Sequence, residues 1–514
     1  MENEDQGVKR TITTAQKTGL ILGPLVCIAF LLFFDLEPGK PEITYTAAVA
    51  LLMAIWWITE AIPLAATALL PMVLFPAFGI MDGKKVAPQY FNDVIFLFIG
   101  GFLVALAMER WHLHKRIALR ILLWFGIRPR SILMGFMAAT AFLSMWISNT
   151  ATAMMMLPIA MAIIWKLEDT LGKGTVHKYA ISIFLGIAYS ASVGGIATLV
   201  GTPPNPALVK IFAIQFPAAP EISFSKWFVF AFPLSLFFLF IVWLFLSAMF
   251  PPPRKDAFQI DIRIFQKQYK ELGRMSFEEW VVLVDFILLA LLWLFRADFS
   301  LGEFKIPGWA SLFGAPGFIN DGVVGIAMAL VLFIIPAKRP GAARIIDWNT
   351  ATRLPWGIVL LFGGGFALAS GFKDSGLSIW VGGQLQGLDA LPPILIIAVL
   401  CLMITFLTEL TSNTASAQIL LPLLASLAVA IKVNPLLLMI PGTISCSCAF
   451  MLPVATPPNA IVFGTERLQI WDMAKTGIIL NFVGVVLITI AAYFWGTTVF
   501  GIDLAHFPDW AAAK

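Results

Sequence analysis

An apolar run long enough to cross a bilayer leaves its backbone few options, because lipid cannot hydrogen-bond an open N–H or C=O. This chain carries eleven such runs, at about 18–34, 43–60, 62–80, 93–109, 179–212, 227–249, 280–296, 322–336, 355–372, 435–465 and 474–499. They are continuous and not alternating, which favours helices over a transmembrane barrel. The chain is 59% hydrophobic and only 12% charged, about half the charge of a soluble domain. The fold class is therefore an all-α polytopic membrane protein. Two more apolar stretches, 131–165 and 391–430, are interrupted midway by polar residues. They read as hairpins that enter and leave from one side.

Lys and Arg set the orientation. An N-terminus inside places about 24 of the 34 basic residues on the cytoplasmic side, in clusters at 110–130, 254–274 and 338–353. The expected location is a bacterial cytoplasmic membrane. The polar stretch 251–279 reads as a cytoplasmic linker, partly helical. Residues 1–17 form a polar tail without the apolar core of a signal peptide, and 501–514 an external tail. His112 and His114 lie among basic residues and are expected to be solvated. Cys27, Cys401, Cys446 and Cys448 all fall in apolar segments, which argues against disulfides or a zinc site. The net charge of +4 reflects cytoplasmic loops, not a nucleic-acid partner.

The two hairpins and their neighbours repeat one another. Ser148-Asn149-Thr150 recurs as Ser412-Asn413-Thr414, and Thr202-Pro203-Pro204-Asn205 as Thr456-Pro457-Pro458-Asn459. Phe98 to Phe102 aligns with Phe362 to Phe366, Ser144 with Thr408 and Leu157-Pro158 with Leu421-Pro422, all at an offset of 264. The Thr-Pro-Pro-Asn copies differ by 254. With the charge-based orientation, span 93–109 runs inward and span 355–372 outward, so the repeat is inverted. The two hairpin tips then approach the midplane from opposite sides, where alternating access needs a site.

The tip residues and the proline breaks supply what such a site needs. Two prolines remove two backbone donors and open the helix near Gly201 and Thr202, and near Ala455 and Thr456. Carbonyls freed there, with tip oxygens, suit a small hard cation. Helix arms that start at a tip offer free N–H groups to an anion. No Lys, Arg or His lies within the motifs, so bound cations would neutralise an anionic substrate and couple the two. Taken singly, a Ser-Asn-Thr is more often packing and a Thr-Pro-Pro-Asn more often a kink. The offset-matched pairing is what favours a site. Glu60, Asp93 and Asp285 lie at or inside spans. The first two read as structural, and Glu409 either tunes a cation site or bonds loop backbone. The glycines at Gly100 and at Gly363 to Gly365 read as close helix packing.

These motifs resemble those of the divalent anion:sodium symporter family, whose members carry di- and tricarboxylates or sulfate. Thr59-Glu-Ala-Ile-Pro63 resembles its early-helix pattern. The resemblance implies a homodimer working as an elevator, with Na⁺ as coupling ion and no organic cofactor. It implies a scaffold at 18–130 and 280–390 and a transport domain at 131–250 and 391–500. The latter holds the hairpins and the broken helices 179–212 and 435–465. It also implies one sodium site at Ser144, Ser148, Asn149 and Gly201, and a second at Thr408, Thr411, Asn413 and Ala455. Substrate carboxylates would meet Ser148, Asn149, Thr150, Ser412, Asn413 and Thr414, with Thr202, Pro203, Thr456 and Pro457 lining the cavity.

The leading reading is a sodium-coupled importer of C4-dicarboxylates such as succinate, fumarate and malate. Alternatives are a sodium-independent dicarboxylate or citrate exchanger of the same fold, a sulfate symporter, or an anion channel. A membrane enzyme is disfavoured, since no Ser-His pair or His-Glu-x-x-His is present.

Overall fold

A computed structural model describes residues 12–252, 263–301, 304–384 and 391–512. Residues 1–11 of the expected tail, 253–262 of the linker, 302–303 and 385–390 of the second scaffold half, and 513–514 lie outside the described residues. Nine helices among those described are long and apolar enough to cross a membrane. Among the described residues this polytopic membrane protein is helical apart from a small ribbon, Phe299–Leu301 paired antiparallel with Phe304–Ile306, and an isolated bridge between Pro336 and Arg344. Shorter apolar helices stand at other expected spans and hairpin arms, among them Leu64–Ala77, Asp321–Ile334, Pro393–Thr408 and Leu436–Ser445.

Local chemistry sets the helix ends. The first helix, Thr14–Phe33, starts four residues before the apolar run. Thr13 Oγ1 accepts from Gln16 N at 3.2 Å while Gln16 Oε1 accepts from Thr13 N at 2.9 Å, a reciprocal cap that fixes the first turn. The run 62–80 is not one helix but two, Leu64–Thr67 and Leu70–Ala77. Pro71 has no N–H to return to Thr67, Met72 N turns to the Leu69 carbonyl at 3.1 Å, and the Ala68 carbonyl it leaves accepts from the Tyr90 hydroxyl at 2.6 Å.

The basic stretch 110–130 contains an amphipathic helix, Leu113–Phe125. Arg116 on it donates to both carboxylate oxygens of Glu279, at 2.8 and 3.1 Å, and to the Gly273 carbonyl at 3.0 Å. This buried fork pins the end of the linker, whose described part forms the helix Arg263–Glu271. His114 is not solvated. It is 9% exposed, and its Nδ1–H donates to the Met108 carbonyl at 3.0 Å. Burial pushes its pKa down to about 4, with Lys115 and His112 adding to the effect.

The first hairpin is Pro129–Ser144 and Asn149–Leu171, and the second Pro393–Thr408 and Asn413–Ala430. Each is followed by a broken helix. Lys173–Ile196 stops and Pro204–Gln215 resumes; Leu436–Ser445 stops and Pro457–Phe463 resumes. The resumed arms cross over. Pro204–Gln215 packs on Asn413–Ala430 and Leu436–Ser445, while Pro457–Phe463 packs on Asn149–Leu171 and Lys173–Ile196. Each half thus completes the other, and Lys173–Ile196 is buried along its whole spanning window. Tyr189 on that helix donates to the Phe450 carbonyl at 2.8 Å, tying the helix to the second break.

Glycines permit the closest helix approaches, where small residues let backbones meet. A Cβ on Gly100 would sit 2.4 Å from the Gly325 carbonyl carbon, and one on Gly364 2.3 Å from the Ala68 oxygen.

Candidate functional site

The first hairpin turns at residues 145–148, between helix ends that face one another. Ser148 caps the second arm, its Oγ accepting from Ala151 N at 3.1 Å. Buried Ser144 places its Oγ 2.5 Å from Asn149 Oδ1 and 2.7 Å from the Ala191 carbonyl on the first broken helix. One hydroxyl hydrogen serves two acceptor oxygens, so the group has an excess of lone pairs.

Gly195 brings the break to the tip. A Cβ on it would meet Asn149 Oδ1 at 2.9 Å, the Gly201 carbonyl at 3.0 Å and Thr202 Cβ at 3.3 Å. Three of the four residues expected in the first sodium site, Ser144, Asn149 and Gly201, thus gather around one small volume. The hydroxyl of the fourth, Ser148, is turned to its own helix.

The second half repeats this arrangement. Thr408 Oγ1 lies 2.7 Å from Asn413 Oδ1 and 2.9 Å from the Cys446 carbonyl. Thr411 is engaged elsewhere, with Oγ1 2.5 Å from Ser416 Oγ and donating to the Leu407 carbonyl at 3.0 Å. Ser412, unlike Ser148, makes no side-chain cap bond. Ala455 N donates to the Leu452 carbonyl at 3.2 Å.

Of the expected substrate residues, Asn149, Thr150, Pro203, Ser412 and Asn413 are half-buried and Pro457 exposed. Thr202, Thr414 and Thr456 are buried. Thr456 caps Pro457–Phe463 through Asn459 N at 3.3 Å.

The asparagines of the two Thr-Pro-Pro-Asn motifs bridge their own breaks. Asn205 Nδ2 donates to the Gly195 and Thr198 carbonyls at 3.2 and 2.7 Å. Asn459 Nδ2 donates to the Ala449 and Leu452 carbonyls at 3.1 and 3.0 Å. Both pairs of acceptors lie ten and seven residues back. The amide replaces the donors that proline removed, and so holds each helix open in a defined shape.

Sequence reasoning missed the Ala191 and Cys446 carbonyls, since a carbonyl has no residue signature. A signal existed in the buried echo Ser190-Ala191-Ser192 and Ser445-Cys446-Ser447. The hydroxyls of Ser190, Ser192 and Ser447 are buried without a hydrogen-bond partner, and Ser445 lies against the Cys401 thiol.

Paired hairpins and breaks of this kind, inside a polytopic helical fold, are the apparatus of a secondary transporter. The chain belongs to the divalent anion:sodium symporter family. Residues 20–502 match the family model described as the sodium:sulfate symporter transmembrane region. The chain is similar to the sodium-dependent dicarboxylate transporter SdcS of Staphylococcus saprophyticus, at 43% identity over 97% of this chain and 94% of that protein. The SdcS of Staphylococcus aureus strain MRSA252 is 44% identical over 96% of this chain and 94% of its own length. Among solved structures, the Alcanivorax borkumensis YdaH transporter shares the fold, with a TM-score of 0.55 and 13% identity, covering 88% of this chain and 99% of that one. The chain is a membrane transporter and not an enzyme.

Proposed function

We propose that this chain imports C4-dicarboxylates, with succinate, fumarate and malate as the class, coupled to Na⁺. The observation that carries the reading is the pair of equivalent oxygen clusters, Ser144–Asn149–Ala191 and Thr408–Asn413–Cys446. Each is acceptor-rich, neutral and closed by a proline break, which suits a hard monovalent cation. The first sodium ion sits with Ser144, Ser148, Asn149 and Gly201, and the second with Thr408, Thr411, Asn413 and Ala455. The anion lies between them against Ser148, Asn149, Thr150, Ser412, Asn413 and Thr414, lined by Thr202, Pro203, Thr456 and Pro457. The similarity to sodium-dependent dicarboxylate transporters favours dicarboxylate over sulfate.

The hairpins and broken helices form a transport domain, 131–250 and 391–500, that slides against a scaffold, 18–130 and 280–390. The assembly is a homodimer in a bacterial cytoplasmic membrane, with the N-terminus inside and the two halves inverted. Competition in proteoliposomes tests the substrate class. Unlabelled fumarate and malate should suppress labelled succinate uptake at concentrations where sulfate does not. Suppression by sulfate alone would reassign the anion.

A further inference from the structure

Glu409 immediately follows Thr408 at the end of the second hairpin's first arm and is 3% exposed. Its Oε1 accepts from Phe450 N at 2.7 Å, Met451 N at 2.9 Å and Asn481 Nδ2 at 2.8 Å. Its Oε2 accepts from Leu452 N at 3.1 Å. All four partners are donors, which matches an ionised carboxylate, because a protonated acid would need an acceptor. The three backbone donors belong to the opened segment between the Cys446 carbonyl and Thr456.

The first half makes the same join without a charge. The position equivalent to Glu409 is Met145. There the Thr198 hydroxyl donates to the Met145 carbonyl at 2.5 Å and accepts from Gly201 N at 3.1 Å. The first break is also tightly packed through Gly195 and Gly201, where a Cβ would collide with neighbouring oxygens. The second half has Ala449 and Ala455 at those places.

We infer that Glu409 is the positioning residue of the second oxygen cluster: its carboxylate holds the opened segment in register and makes the second cation site electrostatically distinct from the first. This rests on the cation reading proposed above. A fixed anion in a low-dielectric interior raises the affinity of a nearby cation far more than it would in water. Neutralising it should weaken that site by about tenfold.

The test is thermal stability of the purified full-length chain, titrated with NaCl against choline chloride at constant ionic strength without any carboxylate. Glu409→Gln should raise the half-saturating Na⁺ concentration about tenfold, whatever its effect on the starting melting temperature. A strut without an electrostatic role would lower the melting temperature and leave half-saturation unchanged, which overturns the inference. Asn481→Ala removes the side-chain donor that fixes Glu409 Oε1 in place, and the loosened carboxylate should raise half-saturation about threefold. If Glu409→Gln is not recovered folded, an unchanged Asn481→Ala titration overturns the inference by itself. A wild-type chain that Na⁺ does not stabilise would instead remove the cation reading, a separate and recognisable failure.

Discussion

The Ser144 hydroxyl stands 2.5 Å from the Asn149 amide oxygen, and both belong to a hairpin whose tip meets a proline-broken helix. The Thr408 hydroxyl and the Asn413 amide oxygen are placed the same way, 264 residues on. In each half a hydroxyl and an amide are arranged to present oxygens. If they cage the coupling ion, Asn149→Ala and Asn413→Ala should each reduce sodium-driven uptake at least a hundredfold. Both proteins should still reach the membrane and elute as folded protein on size exclusion. Normal uptake by both variants would remove the site assignment.

Gly195 lets the hairpin tip and the break approach closely. In Gly195→Ala the new methyl would stand 2.9 Å from Asn149 Oδ1 and 3.0 Å from the Gly201 carbonyl oxygen, so both must give way. Uptake at low Na⁺ should fall about tenfold, because displaced ligands hold the ion less well, and high Na⁺ should recover part of it. Ala449→Gly, the reverse change in the second half, should leave uptake within about twofold. A Na⁺ titration of initial rates in proteoliposomes reads both.

Much of this was legible in the sequence because the constraint came from lipid. Unbroken apolar runs fixed the helical class, and the shared offset of 264 paired the hairpins. What escaped depended on distant partners or on backbone. The split of 62–80 needs the Tyr90 hydroxyl, 22 residues away from the carbonyl it takes. The amphipathic helix Leu113–Phe125 was hidden by its basic residues, although Leu113, Ala118, Leu119 and Leu122 bury one face. Glu409 left two roles open in the sequence. The structure gives its bonds to Phe450, Met451 and Leu452, which no local pattern announces.

Contacts at one end of the molecule bear on movement. Lys210 on Pro204–Gln215 reaches Asp93 at 2.7 Å, and Arg296 reaches Glu221 at 2.5 Å. Lys373 Nζ donates to the Ile214 carbonyl at 2.6 Å. Each joins the proposed moving domain to the proposed scaffold. A short bifunctional thiol reagent applied to a Lys210→Cys, Asp93→Cys double variant should therefore arrest uptake, while each single variant keeps transporting. The four native cysteines are buried and should stay silent. Full uptake after complete crosslinking would exclude relative movement at this contact.

His114 supplies a pH dependence of stability. Its pKa is about 4 in the folded chain, below the ordinary value near 6.5. Between those values the unfolded chain holds more protons than the native one. Stability is therefore intact above about pH 6.5 and declines as pH falls toward 4, by on the order of 3 kcal/mol. His114→Gln should flatten that decline in detergent melting curves recorded from pH 7 to pH 4. An unchanged slope would show that other groups carry it.

The central claim is coupling of an anion to Na⁺ through two oxygen clusters. It is tested most directly by uptake of radiolabelled succinate into proteoliposomes of the purified chain. Three conditions are compared: an inward Na⁺ gradient, an inward K⁺ gradient, and internal succinate without Na⁺. Accumulation only under the Na⁺ gradient, lost when the gradient is collapsed, is the predicted result. Uptake driven by internal succinate without Na⁺ would contradict it and make the chain an exchanger of the same fold.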